Sequence, residues 1–116
     1  MDDFHRSDIW LAVHAKDRLD REDVKARPVL IISNNGYNSF NNEVICVHLT
    51  TDLDHKYSFV LDKVNDFEKN HMIDDSAIRF DVISRYSKNS LVKKLAILKK
   101  KKTHDVIEKT IKLICE

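Results

Sequence analysis

Pro28-Val29-Leu30-Ile31-Ile32, closed by Ser33-Asn34-Asn35-Gly36, is a short apolar run rich in β-branched side chains and ended by turn formers. Such a run predicts a strand buried on both faces. Before it, residues 8–14 alternate, with Ile9, Leu11 and Val13 on one side and Trp10, Ala12 and His14 on the other. After it, 34–42 reads as a polar loop, Val44-Ile45-Cys46-Val47-His48-Leu49 as a third strand and 57–61 as a fourth. Residues 62–72 predict one short helix with Val64, Phe67 and His71 inward. Residues 77–83 alternate again: Ile78, Phe80 and Val82 point to the core, and Arg79 and Asp81 share the opposite face. A last short strand is expected over 95–98. The helix over 103–116 starts at Thr103 as N-cap, with Asp105 near the positive end of its dipole. Its buried stripe is Val106, Ile107, Thr110, Ile111 and Ile114. Short strands followed by a terminal helix predict an α+β protein built on a small, strongly bent sheet or barrel.

The chain has 116 residues, enough for one domain spanning 1–116 and one core. It is 42% hydrophobic and 34% charged, the balance of an ordinary globular protein. No apolar run approaches the roughly 20 residues of a membrane span, and Met1-Asp2-Asp3-Phe4-His5-Arg6 lacks the features of a signal peptide. The expectation is a cytoplasmic protein with no membrane partner. Cys46 and Cys115 are too far apart for metal-ligand spacing and read as small core hydrophobes. His5, His55, His71 and His104 show no ligand spacing either, and no metal or cofactor is expected.

The net charge of +1 hides a segregation. From 84 to 102 there are eight basic residues (Arg85, Lys88, Lys93, Lys94 and Lys99 to Lys102) and no acids, whereas 52–81 holds eight acids against four bases. Such a stripe suits a polyanion, although charge runs are often only a solvated face.

Several segments, in order, resemble the MazF/PemK toxins. Ser7-Asp8-Ile9-Trp10-Leu11 resembles that family's opening Gly-Asp-Ile-Trp strand. Arg27-Pro28-Val29-Leu30-Ile31-Ile32-Ser33-Asn34, with Glu22 five residues earlier, resembles its most recognisable stretch. Val47-His48-Leu49-Thr50-Thr51 is similar to the strand ending Leu-Thr-Ser. Ser76-Ala77-Ile78-Arg79-Phe80-Asp81-Val82-Ile83 is similar to the Ser-x-Val-Arg-Cys-Asp-Gln-Ile strand of the PemK branch, and 89–98 resembles the segment that follows. The resemblance implies an SH3-like β-barrel with appended helices, the fold shared with the CcdB toxins. It also implies a homodimer, sequence-specific cleavage of single-stranded RNA, and an antitoxin whose disordered tail fills the RNA groove.

Cutting RNA without metal uses the neighbouring 2′-hydroxyl as nucleophile. The enzyme must remove its proton, steady the charge on phosphorus and protonate the leaving 5′-oxygen. By the resemblance, Asp81 is the general base and Arg79 the phosphate clamp, because an arginine is a poor acid. Arg27 and Thr50 match the catalytic pair of the MazF branch. RNA binding falls to Glu22, Arg21, Lys25, Asn34, Asn35, Tyr37 and Lys56: Tyr37 for stacking on a base, the asparagines for base edges. The loop over 15–26 departs from the family. It has no glycine, and Arg21 stands where the PemK branch has a histidine, so the expected acid is missing. Arg21 or His14 is left to substitute. Two other readings remain: a CcdB-like poison of DNA gyrase, and a MazF-like domain that binds without cutting. The ending Leu113-Ile114-Cys115-Glu116, in place of the poison's Trp-Gly-Ile tail, counts against the first.

Overall fold

The computed structural model describes residues 4–13, 26–70 and 74–115. Among them, seven strands form one antiparallel sheet: β1 (Asp8–Val13), β2 (Ala26–Ile31), β3 (Glu43–Thr50), β4 (Ser58–Val60), β5 (Phe67–Asn70), β6 (Ala77–Ser87) and β7 (Leu91–Leu98). The spatial order is β4-β6-β3-β2-β1-β7-β5. A short helix α1 (Asn35–Phe40) follows β2, and a long helix α2 (Lys100–Cys115) follows β7.

The opening run behaves as its composition demands. Val29, Leu30 and Ile31 are fully buried, on alternating sides of β2. Leu30 joins a cluster with Ile9, Val47, Ile78, Phe67, Leu98 and Val106, against which Phe59 packs. That cluster draws on all seven strands and α2, so the sheet curls around it. Val29 and Ile31 join a second cluster with Ala12, Val44, Cys46, Tyr86 and Leu91 on the other face. The expected bent β architecture with a C-terminal helix is present, as an open sheet with β4 and β5 at its edges. Among the described residues, no helix is long and apolar enough to cross a membrane.

Several local expectations are corrected. Residues 62–70 form no helix. The Asp62 carboxylate accepts the backbone N–H groups of Val64 (2.9 Å) and Asn65 (3.1 Å), closing a tight turn that competes with helical hydrogen bonding. Beyond it Phe67 enters the core on β5, while Val64 stays exposed; His71 lies outside the described residues. The supposed 34–42 loop contains α1, because Asn34 caps it by accepting the Tyr37 N–H at 2.8 Å. Helix α2 begins at Lys100, with Thr103 inside it and buried; the Thr103 N–H donates to the Lys99 carbonyl at 3.1 Å. Only part of the expected stripe is covered: Val106 and Thr110 are buried, but Ile111 and Ile114 are 53% and 67% exposed. Cys46 is a core thiol, whose burial pushes its pKa up to about 12. Cys115 is exposed, contrary to its reading as a core residue.

Candidate active site

Residues paired across neighbouring antiparallel strands project to the same face. One such row crosses the sheet: Trp10 opposite Val29, Val29 opposite His48, His48 opposite Arg79, and Arg79 opposite Ser58. Two residues away along each strand, Arg27 and Thr50 lie on the same face, paired with Ala12 and Ala77. Arg27, Thr50 and Arg79 are thus brought to one side of the sheet.

Strand β6 is irregular at this point. Ile83 pairs with Val47 and Arg79 with His48, so three residues of β6, Phe80 to Val82, are inserted against consecutive residues of β3. The insertion reverses the alternation: Arg79 before it and Tyr86 after it both pair with even-numbered residues of β3. It also bends the strand at Asp81, the kind of local re-aiming that bulges provide beside functional sites. Helix α2 braces the bend, the Thr110 hydroxyl donating to the Phe80 carbonyl at 3.0 Å.

Asp81 accepts two hydrogen bonds from the Arg79 guanidinium, Nε to Oδ1 at 2.8 Å and Nη2 to Oδ2 at 2.9 Å. The fork is bidentate and three-quarters shielded, with side-chain exposures of 26% and 21%. The Arg79 hydrogen bond holds the Asp81 carboxyl below the usual carboxylate range, against a smaller push from burial and with a minor pull from His55. The same bond holds the Arg79 guanidinium above its ordinary value. At neutral pH the pair is therefore a fixed cation beside a fixed anion. Neither member titrates near neutrality.

The remaining expected residues are distributed more widely. The Thr50 hydroxyl caps a turn by accepting the Asp52 N–H at 3.0 Å. Lys56 sits over the Tyr57 ring at 5.4 Å, in the exposed turn between β3 and β4. Asn34, Asn35 and Tyr37 belong to α1 and its cap, at the opposite end of β2 from Arg27. There the Asn35 side chain accepts the Arg6 N–H at 2.8 Å. Arg21, Glu22, Lys25 and His14 lie outside the described residues. Sequence reading passed over His48, which looks like one more alternating strand position. Its spacing of two from Thr50 was the available signal. Its Nε2 is 3.0 Å from the Tyr86 hydroxyl. Among the described residues, no cluster of three or more potential ligands could hold a metal ion.

No curated protein matches the chain by sequence. Solved structures do match its fold. A mycobacterial endoribonuclease has a TM-score of 0.74 at 18% identity, covering 98% of this chain and 93% of its own. MazF from Deinococcus radiodurans has a TM-score of 0.70 at 16% identity, covering 100% and 99%. A mycobacterial endoribonuclease in complex with its cognate antitoxin has a TM-score of 0.68 at 19% identity, covering 97% and 93%. The family model describing PemK-like, MazF-like toxins of type II toxin–antitoxin systems matches residues 5–114. A match running from the turn before β1 to the last turn of α2 leaves little of the chain outside it, and the chain belongs to the PemK-like, MazF-like toxin family of type II toxin–antitoxin systems.

Proposed function

We propose that the chain is a metal-independent endoribonuclease that cuts single-stranded RNA through the neighbouring 2′-hydroxyl, leaving a 2′,3′-cyclic phosphate. The observation that carries this reading is the bidentate Arg79–Asp81 pair on a bent strand, with Thr50 and Arg27 on the same face. A phosphodiester entering the face brings an anion that competes with Asp81 for the guanidinium. As the phosphate takes the fork, Asp81 loses the bond that depresses its pKa and becomes a better base for the 2′-hydroxyl proton. Arg79, always protonated, then balances the charge that builds on the phosphorus oxygens.

The working molecule in this reading is a cytoplasmic homodimer, inhibited by a cognate antitoxin that covers the groove. The likeness to an endoribonuclease bound to its antitoxin supports that partner. The exposed apolar side chains at the end of α2 support a covering surface.

The test is incubation of purified protein with a long single-stranded RNA in excess EDTA, with cut sites and 3′ ends mapped. Discrete cuts with cyclic phosphate ends are expected. Arg79→Ala and Asp81→Ala should each lower cleavage by at least about 100-fold with the fold retained, the range for losing a positioned acid–base or oxyanion-stabilising group. Intact RNA with folded wild-type protein overturns the reading and turns attention to a toxin that acts by binding.

A further inference from the structure

Transesterification of RNA needs a proton for the leaving 5′-oxygen, and the Arg79–Asp81 pair has none to offer near neutral pH. Arginine does not give up its proton, and Asp81 is an anion. A histidine suits the task, because an imidazole changes charge near neutrality. His48 is the cross-strand partner of Arg79, which puts their Cβ atoms about 5 Å apart on one face. It is half-buried, and the Tyr86 hydroxyl holds its Nε2 at 3.0 Å. Tyr86 itself is almost fully buried in the apolar cluster on the same side of the sheet, with Val29, Val44 and Cys46, so the clamp is anchored. The titratable and charged groups that strand pairing brings towards His48 include Arg79 and Tyr86 of β6, Asp81 through Arg79, and Arg27, two residues along β2 from its uncharged neighbour Val29.

Resting on the ribonuclease reading above, we propose that His48 is the catalytic acid of this protein, with Tyr86 as the positioning residue that fixes its ring. Asp81 takes the proton of the 2′-hydroxyl, and the 2′-oxygen bonds to phosphorus. The P–O5′ bond breaks with its electron pair on the 5′-oxygen, which receives a proton from the His48 imidazolium. With Nε2–H donated to the Tyr86 oxygen, Nδ1 is the nitrogen that gives up its proton. Asp81 ends protonated and His48 neutral, and exchange with water resets both.

The experiment compares two substrates carrying the cut site mapped with wild-type protein: ordinary RNA, and RNA with sulfur replacing the bridging 5′-oxygen. A thiolate leaves without a proton. His48→Asn and His48→Gln are expected to cut ordinary RNA at least about 100-fold more slowly, yet to cut the sulfur substrate within about 10-fold of wild type. Tyr86→Phe should give a smaller loss on ordinary RNA and shift the pH profile, as expected when a positioning hydrogen bond is removed. His55→Asn, whose ring lies in the neighbouring turn, should leave the ratio between the two substrates at its wild-type value. Folding of each variant is checked by circular dichroism and melting. Equal losses on both substrates in folded His48 variants, unchanged cleavage of ordinary RNA, or sulfur rescue confined to His55→Asn would each overturn the proposal. If wild-type protein cuts neither RNA, the ribonuclease reading falls and this one with it; if wild type cuts and His48→Asn cuts equally, only the assignment of His48 falls.

Discussion

Ser7 has a backbone φ of 87°, in the left-handed region that glycine tolerates and other residues enter at a cost. The related toxins open this strand with glycine, and here the serine gains something in exchange. Its buried hydroxyl lies 2.7 Å from that of Thr103, tying the turn before β1 to α2. Ser7→Ala keeps the strain and loses the bond, and should cost about 1–2 kcal/mol. Ser7→Gly loses the bond but relieves roughly 1 kcal/mol of strain, so it should fall close to wild type; urea unfolding of the two variants measures the difference. An equal cost for both would mean that the left-handed backbone at this position carries no strain for glycine to relieve. Asp81 makes the other residue-scale prediction. Its pKa is lowered by folding, so the stability it contributes is complete above the usual carboxylate range and is lost as pH falls through that range toward the lower folded value. Asp62, held low by the backbone N–H groups of its turn, acts in the same direction. Melting temperature between pH 7 and pH 3 should therefore fall less steeply for Asp81→Asn than for wild type, without becoming flat. An unchanged slope would show that the Arg79 pair carries no folding energy.

Among the elements, helix α2 runs against ordinary helix design. Its first turn holds Lys100, Lys101 and Lys102 and no acid, although cations there oppose the helix dipole. Lys100 and Lys101, with Lys99 just before the helix, border a cleft of about 720 Å³, to which Arg6, Lys69 and Lys94 also contribute. Lys94 is partly balanced by the buried Asp8 carboxylate at 3.3 Å, and Lys102 by Asp66 at 3.4 Å. If this cleft binds RNA phosphates, stability and affinity should move in opposite directions. Lys100→Glu with Lys101→Glu should raise stability by roughly 0.3–1 kcal/mol per residue. It should also weaken binding of a 2′-deoxy, uncleavable oligonucleotide and flatten its salt dependence by about 0.7 in log–log slope for each phosphate no longer neutralised. Higher stability with unchanged affinity would leave the lysines as a solvated face. The elements that sequence made legible are those fixed by burial: the run at Val29 to Ile31 has one solution, a strand between two cores. The misread ones are fixed by single side chains bonding the backbone. Asp62 and Asn34 each cap a turn, but one leads into a strand and the other into a helix, and hydropathy does not separate those outcomes. The candidate site was legible where a motif carried it, at Arg79 and Asp81. His48 was not, because its pairing with Arg79 depends on a three-residue insertion in β6 that leaves no mark in the sequence pattern.

At the scale of the molecule, the question is what covers the apolar side chains that one chain leaves in water. The stripe read from sequence on the last helix is correct in its spacing but only half used. Val106 and Thr110 enter the core, while Ile111, Leu113 and Ile114 are 53%, 40% and 67% exposed at the far end of α2. A 16-residue helix has no folding reason to keep isoleucines at two successive turns of its exposed end. A patch of this kind is commonly an interface, and in the proposed homodimer the occupant is a second copy of the chain. Association of like surfaces across a two-fold axis would set the two α2 ends together and bury each against its counterpart. Ile111→Asp with Ile114→Asp should then convert the dimer to a monomer by light scattering at micromolar concentration. The intrachain core, which uses neither residue, should remain folded by circular dichroism. A double variant that remains dimeric would place the subunit contact elsewhere on the sheet. A wild-type protein that is itself monomeric would remove the second copy as occupant and leave the antitoxin as the partner to test on the same stripe.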